Sequence, residues 1–405
     1  MDLERNVASR SDAERAAAIE TGTIRPDATP YAATGLKVGT FLLRPTLEQG
    51  AEWTSNAAGT AGGTSDILSS TTLRLGAQSE WSRHSLAINA AGTYRTSLQG
   101  TGFSDLSGNA DATLNLELGN EFTGSFKAGW NARPEEAGSP AVTTATVGRA
   151  ARQTLNAGVG LEKGVGKFTF SLNGTAERNT YGPATLSTGG LLSQTDRNNT
   201  LYAAALRGSY EISPAMKPFV EAELGRRNYD LPLDSAGYSR SAMRYGARAG
   251  IAFDRGEKLV GEIAAGWISE KPDDARLSAV SGLALDGNLA WSPIRGTTVN
   301  LATTTTIEGS TVAGSSGSVV YGATAGVTRE LGSRLTGMVS LGGQLRRYAG
   351  TADLDTTWTA MGSLTYWLNR YAGITGRASH EQLGSTIAGR NSGSTSVYLG
   401  LTLQR

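Results

Sequence analysis

The sequence predicts an all-β chain that forms a transmembrane antiparallel up-and-down β-barrel of about 18 strands, with 16 as the alternative count. Three observations predict this fold. Long runs alternate apolar with polar or small residues, short turns alternate with longer loops, and aromatic residues gather at both ends of the runs. A short N-terminal periplasmic extension containing one helix is predicted to precede the barrel.

The closing strand shows the alternation most plainly. Val397, Leu399, Leu401 and Leu403 fall on one side of an extended strand, and polar or small residues fall on the other. Successive side chains point to opposite faces of a strand, so one face is apolar. Similar runs recur from Gly39 onward. They exceed the typical strand of about 5–6 residues and match the roughly 9–11 residues of a tilted membrane-spanning strand.

The closing strand is predicted to pair with the first barrel strand, near residues 43–53, and so to close the barrel. Its four apolar residues are then expected to contact lipid. Tyr398, Thr402 and Gln404 are expected to face the lumen.

Two kinds of connection alternate along the chain. Short turns, such as Gly119-Asn120 and Ser213-Pro214, alternate with longer links rich in Ser, Thr, Gly and Asn. In a bacterial outer-membrane barrel the short turns face the periplasm and the longer loops face outward. The longest loop, Tyr181–Asn198, is the best candidate for a constriction of the lumen.

The aromatic residues lie near the ends of the runs. Trp81 and Phe122 lie near short turns, and Trp53, Trp130 and Trp267 lie near longer loops, whereas mid-strand positions carry mostly aliphatic residues and Gly. Membrane barrels have such girdles because amphipathic rings favour the headgroup level. A soluble sheet would instead bury its aromatic residues in mid-strand, so this placement favours the membrane barrel.

Composition excludes several classes of function. The 37 basic and 36 acidic residues give a net charge of +1, so nucleic acid is not an expected partner. The absence of cysteine excludes disulfides and thiolate metal sites. No apolar run approaches the roughly 20 residues that a membrane-spanning helix needs.

Residues 1–36 are predicted to form the periplasmic extension, and residues 37–405 the outer-membrane barrel. Ser11-Asp12-Ala13-Glu14 has the form of a capping box and predicts a short helix near 11–21. Pro26 and Pro30 indicate a linker. Residues 1–5 have no apolar segment and do not begin a signal peptide. Because the predicted barrel belongs in the outer membrane, we expect that the signal peptide is absent from this chain.

Three stretches carry a resemblance to a known family. Residues 35–48, GLKVGTFLLRPTLE, resemble the opening of the "putative β-barrel porin type 2" family of Gram-negative outer-membrane proteins. Tyr210–Pro214 resembles an internal turn of that family, and Leu399–Arg405 resembles its end. The resemblance covers about Gly35 to Arg405. It implies an outer-membrane barrel and carries over no catalytic residues. Families of this kind usually end in an aromatic residue, from which Arg405 departs.

No catalytic constellation is expected, and we predict that the chain is not an enzyme. His84 falls in a short turn and His380 near an outer loop, so the two cannot form a pair. Asp353-Leu354-Asp355 is interpreted as a solvated acidic turn rather than a calcium loop. No cofactor and no metal are predicted.

Charged residues in the inward register are predicted to line the lumen. Both signs are mixed on neighbouring strands, which suits cross-strand pairing or a weakly selective polar channel, since selective pores use rings of one sign. The predicted lumen-lining residues are Glu48, Glu52, Arg74, Arg95, Glu117, Lys127, Glu162, Glu177, Arg207, Glu221, Glu223, Arg227, Arg248, Glu262, Asp286, Arg346 and Arg377.

Three arginines break the outward apolar register at the loop side: Arg178, Arg226 and Arg347. A charge is tolerated there near the interface. One hypothesis is that they bind lipid headgroup phosphates of lipopolysaccharide by charge-assisted hydrogen bonds. The alternative is that they extend into water.

The leading functional hypothesis is a pore that allows hydrophilic solutes to pass, without covalent chemistry. One alternative is a conduit that exports a secreted polysaccharide with periplasmic partners. A second alternative is a structural or adhesive barrel closed by its own loops. The expected partners are the outer membrane, lipopolysaccharide and the barrel insertion machinery, with a periplasmic export partner in the conduit case.

Overall fold

The computed structural model describes residues 31–135, 150–186, 190–309 and 314–405. The helix predicted near 11–21 lies outside these residues. Among the described residues, no helix is long and apolar enough to cross a membrane. Their regular structure is nearly all β, with one 3₁₀ turn at Thr195–Arg197.

The strands follow one another in chain order as long antiparallel hairpins. They are β1 (Leu36–Val38), β2 (Phe41–Thr54), β3 (Asp66–Ser79), β4 (Ser85–Ser97), β5 (Ser104–Gly119), β6 (Phe122–Pro134), β7 (Ala151–Val165), β8 (Phe168–Tyr181), β9 (Ala184–Thr185), β10 (Leu191–Leu192), β11 (Asn199–Tyr210), β12 (Met216–Tyr229), β13 (Ala242–Asp254), β14 (Leu259–Pro272), β15 (Val280–Trp291), β16 (Thr297–Gly309), β17 (Gly317–Gly332), β18 (Leu335–Tyr348), β19 (Leu354–Trp367), β20 (Ala372–Ser385) and β21 (Ser392–Gln404).

Eighteen of these strands, β2–β8 and β11–β21, form a closed antiparallel barrel. The last strand pairs with the first, from Leu47 opposite Leu403 to Trp53 opposite Val397. The predicted strand count and the predicted closing seam are therefore confirmed. Closure leaves no open edge at this seam, which a sheet in lipid requires.

The two faces of the closing strand differ as the alternation predicts. Leu399 is 63% exposed and Leu401 is 56% exposed on the outer surface. Tyr398 and Thr402, which alternate with them, are buried. The outer face is thus apolar and the inner face carries the polar side chains.

The turn between β5 and β6 has a two-residue loop. Both loop residues, Asn120 and Glu121, have positive φ values of 50° and 61°. Two consecutive residues of this kind match the right-handed twist of the flanking strands. The other connections alternate between short turns and longer loops, so the two rims of the barrel are distinct.

Candidate functional site in the lumen

The β16–β17 hairpin separates from β15 in its loop-side half, while β17 stays paired with β18 as far as Ser318 opposite Tyr348. The pairing of β15 with β16 ends at Gly287 opposite Thr303, whereas β16 stays paired with β17 as far as Gly309. Beyond that point, hydrogen bonds of the Thr305 side chain take the place of the backbone hydrogen bonds between β15 and β16. Its Oγ1 accepts a hydrogen bond of 2.8 Å from the backbone N–H of Leu285. The loop-side half of the hairpin is therefore free to follow a different course from β15.

The displaced half packs on the inner surface of β14 and β15. The hairpin and the wall share one buried apolar cluster, made of Ile268, Val280, Ala284, Ile307 and Val319. The chain neighbours of the wall residues, Trp267 and Leu283, are 55% and 47% exposed on the outer surface. Because neighbours in a strand point to opposite faces, the cluster lies inside the barrel.

A glycine lets the hairpin approach the wall closely. A Cβ atom at Gly282 of β15 would lie 2.5 Å from the hydroxyl oxygen of Tyr321 and 3.2 Å from Cγ1 of Val319. A Cβ atom could be accommodated if the end of the Tyr321 side chain moved, whereas a large side chain would push the hairpin away from β15.

Glu308, at the loop-side end of β16, joins opposite walls of the barrel. Its Oε1 accepts a hydrogen bond of 3.1 Å from Nη1 of Arg152 on β7, and its Oε2 accepts one of 2.6 Å from Nη1 of Arg346 on β18. Arg346 also donates to the hydroxyl of Ser318, at 3.1 Å. Strands β7 and β18 are far apart around the barrel, so this bridge crosses the lumen and narrows it.

A second buried ion pair holds the hairpin from β12. Arg227 donates to both carboxylate oxygens of Glu270, at 2.9 Å and 2.8 Å, and both residues are 4% exposed. The same guanidinium donates to the backbone carbonyl of Ile307 at 3.1 Å. A Cβ atom at Gly309 would overlap the Tyr229 hydroxyl, so glycine is required where the hairpin crosses β12.

Further ion pairs continue this network along the inner wall of β11 to β15. Arg207 bonds to Glu221 at 2.8 Å and to Glu262 at 2.9 Å. Arg248 bonds to Glu223 at 2.8 Å and lies 3.3 Å from Asp286. Arg244 connects the Arg248–Glu223 pair with the Arg227–Glu270 pair, because it lies 2.8 Å from Glu223 and 3.4 Å from Glu270. These paired charges stiffen the inner wall.

The closing seam carries its own inner cluster. Glu48 is 4% exposed and accepts hydrogen bonds from Arg377 at 2.9 Å and from Arg74 at 3.3 Å. Farther toward the loops, Arg95 has two acidic partners, Glu52 at 3.5 Å and Asp105 at 2.7 Å. These pairs join β2, β3, β4, β5 and β20 on the inner face.

The inner wall of β5 to β7 differs because its charges remain exposed. Glu117, Lys127 and Glu162 are all exposed and lie in the inward register. Glu177 on β8 is half-buried and accepts a hydrogen bond of 2.7 Å from Asn179. The lumen is therefore open beside β5–β7, where a cavity of about 480 Å³ reaches as far as Glu223 and Arg244 on β12 and β13.

A cavity of about 480 Å³ lies on the lumen side of β16–β20. Arg133 of β6 borders it from the other side of the barrel. Hydroxyl groups and glycines dominate the rest of the lining, including Thr304, Gly322, Thr324, Gly342, Thr357 and Thr359. Arg133 and Glu381 contribute one charge of each sign to this lining, and its other residues are uncharged.

The two histidines lie far apart and have ordinary roles. Nδ1 of His84 accepts a hydrogen bond of 3.3 Å from the backbone N–H of Glu117, and His380 bonds to the Thr395 hydroxyl at 2.8 Å. The interpretation of Asp353-Leu354-Asp355 as a solvated turn is wrong for Asp355, which lies on β19, is 2% exposed and accepts a hydrogen bond of 2.6 Å from the Tyr348 hydroxyl. No group of acidic residues and histidines in the described part of the chain could hold a metal ion.

The sequence matches a family model described as "Putative beta-barrel porin 2" over residues 29–405. The chain belongs to this family. The resemblance seen in residues 35–48 is thereby confirmed, and the porin fold extends over the whole barrel.

Solved structures with similar chains include two proteins from Pseudomonas aeruginosa and one from Neisseria meningitidis. The outer membrane protein OpdK is 10% identical, with 90% of this chain and 99% of that chain covered and a TM-score of 0.41. OpdO is 15% identical, with 91% and 98% covered and a TM-score of 0.42. The FrpB iron transporter is 9% identical, with 94% and 83% covered and a TM-score of 0.40. No curated protein matches.

On the outer surface of this porin barrel, two of the three arginines in the lipid-facing register have acidic partners. Arg178 forms a bidentate pair with Asp230 at 2.5 Å, which holds the pKa of that carboxyl below its usual value. Arg226 bonds to Asp273 at 2.8 Å. Arg347 is exposed at the same rim. Headgroup binding by the three arginines stays a prediction.

Sequence reasoning missed several charged residues on the inner face of the barrel, including the pair that bridges the lumen. Arg152, Glu308, Glu270, Arg244 and Arg133 were not among the predicted lumen-lining residues. A signal for the displaced hairpin existed in β16, where residues 303–306 are four consecutive threonines. Lipid-facing positions there would ordinarily be apolar. The constriction was expected from Tyr181–Asn198, whereas the described residues of β16 and β17 make the contacts across the lumen.

Proposed function

We propose that this chain is an outer-membrane pore through which small hydrophilic solutes pass without covalent chemistry. The observation that supports it most directly is the exposed, charged inner wall of β5–β7, represented by Glu117, Lys127 and Glu162. Exposed charges on an inner face need water beside them, because a charge without solvent or a partner is costly to bury. An 18-stranded barrel is wide enough to leave an aqueous channel.

The proposed solute pathway does not follow the barrel axis. The apolar cluster occupies the lumen beside β14 and β15, and the bridge through Glu308 reaches across to β7. Solutes therefore pass beside the exposed wall of β5–β7 and the cavity lined by β16–β20. The hydroxyl-lined cavity near Arg133 lies along this route and offers hydrogen bonds to a hydrated solute.

Selectivity by charge is expected to be weak. The exposed wall carries both signs, as Lys127 and Glu162 illustrate, and strong selectivity needs rings of one sign. We further propose that the protein lies in the outer membrane with its longer loops facing outward, where lipopolysaccharide contacts its outer rim, and that the barrel insertion machinery assembles it.

Liposome swelling with sugars of increasing size tests the pore directly. Liposomes containing the folded protein should swell in monosaccharides and progressively less in larger oligosaccharides, because the bridge through Glu308 limits the opening. Liposomes containing heat-unfolded protein are the control. Absence of swelling with even the smallest sugar, in vesicles that hold folded barrels, would contradict the proposal.

A further inference from the structure

We propose that the loop-side half of the β16–β17 hairpin, residues 303–309 and 317–323, is a gate with two positions. In the position seen here it lies inside the lumen. In the second position it pairs with β15 and completes the barrel wall. This inference rests on the proposed pore function, because moving the hairpin would change the width of the passage.

The sequence of the hairpin suits the second position. If the β15–β16 ladder continued in the same register past Gly287 and Thr303, Ile307 would lie opposite Leu283. Ile307 and Val319 would then face lipid, next to a row of leucines. Tyr321 would lie at the loop side of the barrel, where an aromatic girdle is expected. These three side chains are apolar or amphipathic and can be buried either in the lumen cluster or in lipid.

The edge of β15 also favours a second position. Both backbone groups of Leu285 turn toward β16 and are satisfied by the Thr305 hydroxyl, which accepts from N–H at 2.8 Å and donates to C=O at 3.2 Å. Leu283, two residues farther along, turns its backbone groups the same way but lies beyond the end of the ladder. Unpaired strand edges are costly in lipid. Pairing β15 with the hairpin would remove this cost.

Polar contacts hold the hairpin in its present position. They are the hydrogen bond from Arg152 to Glu308 and the one from Arg227 to the carbonyl of Ile307. On the loop side, the backbone N–H of Gly314 donates to Asp234 at 2.9 Å. The populations of the two positions therefore depend on two opposing contributions. Ion pairs inside the lumen stabilise the present position, and backbone hydrogen bonds to β15 would stabilise the second.

Two engineered disulfides distinguish the positions, because the chain has no cysteine of its own. The pair Gly282→Cys with Val319→Cys locks the present position. A Cβ atom at Gly282 would lie 3.2 Å and 3.4 Å from the two methyl carbons of Val319, which places the two Cβ atoms within disulfide reach. The pair Leu283→Cys with Ile307→Cys can close only when the hairpin has joined the wall. The control pair, Leu289→Cys with Leu301→Cys, is opposite in the intact ladder.

Each variant is reconstituted in planar bilayers, and disulfide formation is scored by mass spectrometry before and after reduction. We expect the oxidised 283–307 pair to form and to raise single-channel conductance about twofold or more over its reduced form, since the hairpin leaves the passage. The oxidised 282–319 pair should abolish that larger level. The control pair should form without changing conductance.

The gate is contradicted if the 283–307 pair does not form under conditions in which the 289–301 pair does. It is also contradicted if the 283–307 pair forms and conductance stays at the level of the reduced protein. If no variant and no unmodified protein conducts, the pore function fails, while formation of the 283–307 disulfide still decides whether the hairpin reaches the wall.

Discussion

Glu308 on β16 accepts a hydrogen bond from Arg152 on β7, at 3.1 Å, across the lumen of an 18-stranded barrel. This contact joins residues 156 positions apart in the chain. Together with the bond from Arg346, it fixes the β16–β17 hairpin inside the barrel. The bridge defines the narrow part of the passage and leads to the first prediction.

Replacing Glu308 with Gln is expected to release the hairpin from the opposite wall. Removing one partner of a buried ion pair costs about 3–5 kcal/mol, and because Arg152 and Glu308 keep 22% and 26% side-chain exposure, we expect about 1–2 kcal/mol here. Since 1.4 kcal/mol is a factor of ten, the larger conducting state should become about tenfold more populated. Single-channel recording measures this. The matched control is Glu162→Gln on the exposed wall, and an unchanged Glu308→Gln channel would contradict the prediction.

Replacing Glu48 with Ala is expected to weaken the closing seam. Glu48 is buried and neutralises both Arg74 and Arg377, so its loss leaves two cations without their anion. Because Arg74 and Arg377 keep 44% and 30% side-chain exposure, we expect the free energy of unfolding to fall by about 1–2 kcal/mol rather than by the full cost of an unpaired buried charge. Urea titration followed by electrophoretic mobility of the folded barrel measures it. Glu52→Ala is the control and should cost less, because Arg95 keeps Asp105; equal losses would refute the argument.

Acid is expected to loosen the loop between β12 and β13. Burial alone would raise the pKa of Asp234, but the backbone N–H groups of Tyr238, Gly314 and Ala236, together with Arg240, outweigh burial and lower it. A carboxyl with a lowered pKa stabilises the fold above its unfolded pKa of about 3.9, and this stability is lost as pH falls through the folded pKa. Amide hydrogen exchange of residues 230–241 should therefore accelerate below about pH 4, after correction for intrinsic rates.

The matched variant for this pH effect is Asp234→Asn. The amides of residues 230–241 in this variant should exchange rapidly at neutral pH, and their exchange should not accelerate further when the pH falls below about 4. Asp353→Asn, at a half-buried position in another loop, should leave this acid-dependent increase in exchange unchanged. An acid step of the same size in Asp234→Asn would mean that a different group controls the loop.

Changing Arg178, Arg226 and Arg347 together to Gln is expected to reduce the lipopolysaccharide that co-purifies with the barrel. Arg347 should account for most of the loss, because Arg178 and Arg226 already bind Asp230 and Asp273. Phosphate analysis of the purified protein measures the bound lipid. Arg255→Gln, in a short turn at the opposite rim, is the control. Unchanged lipid content in the triple variant would contradict the prediction that these arginines bind lipid headgroups.

The barrel was predictable from sequence because its signals are local. Alternation with a period of two, as in Val397–Leu403, depends on neighbours in the chain, and so do the short turns that set the strand count. The closing seam followed from the strand count and the matching of end strands. Both features were confirmed by the 18-strand barrel and by the pairing of β2 with β21.

The displaced hairpin was not predictable in the same way. Alternation tells on which face a residue lies, but not whether its strand stays in the wall. Ile307 and Val319 have the register of lipid-facing residues and nevertheless lie in the lumen. What places them there is a set of contacts with Arg152 and Arg227, which come from remote parts of the chain. Only the four threonines at 303–306 mark the region locally.

Single-channel recording of the unmodified protein in planar bilayers tests the pore most directly. The account predicts discrete openings with weak ion selectivity, with a potassium-to-chloride permeability ratio between about 0.3 and 3, because both signs of charge line the exposed wall. A folded barrel that inserts into the bilayer and gives no conductance would contradict the account.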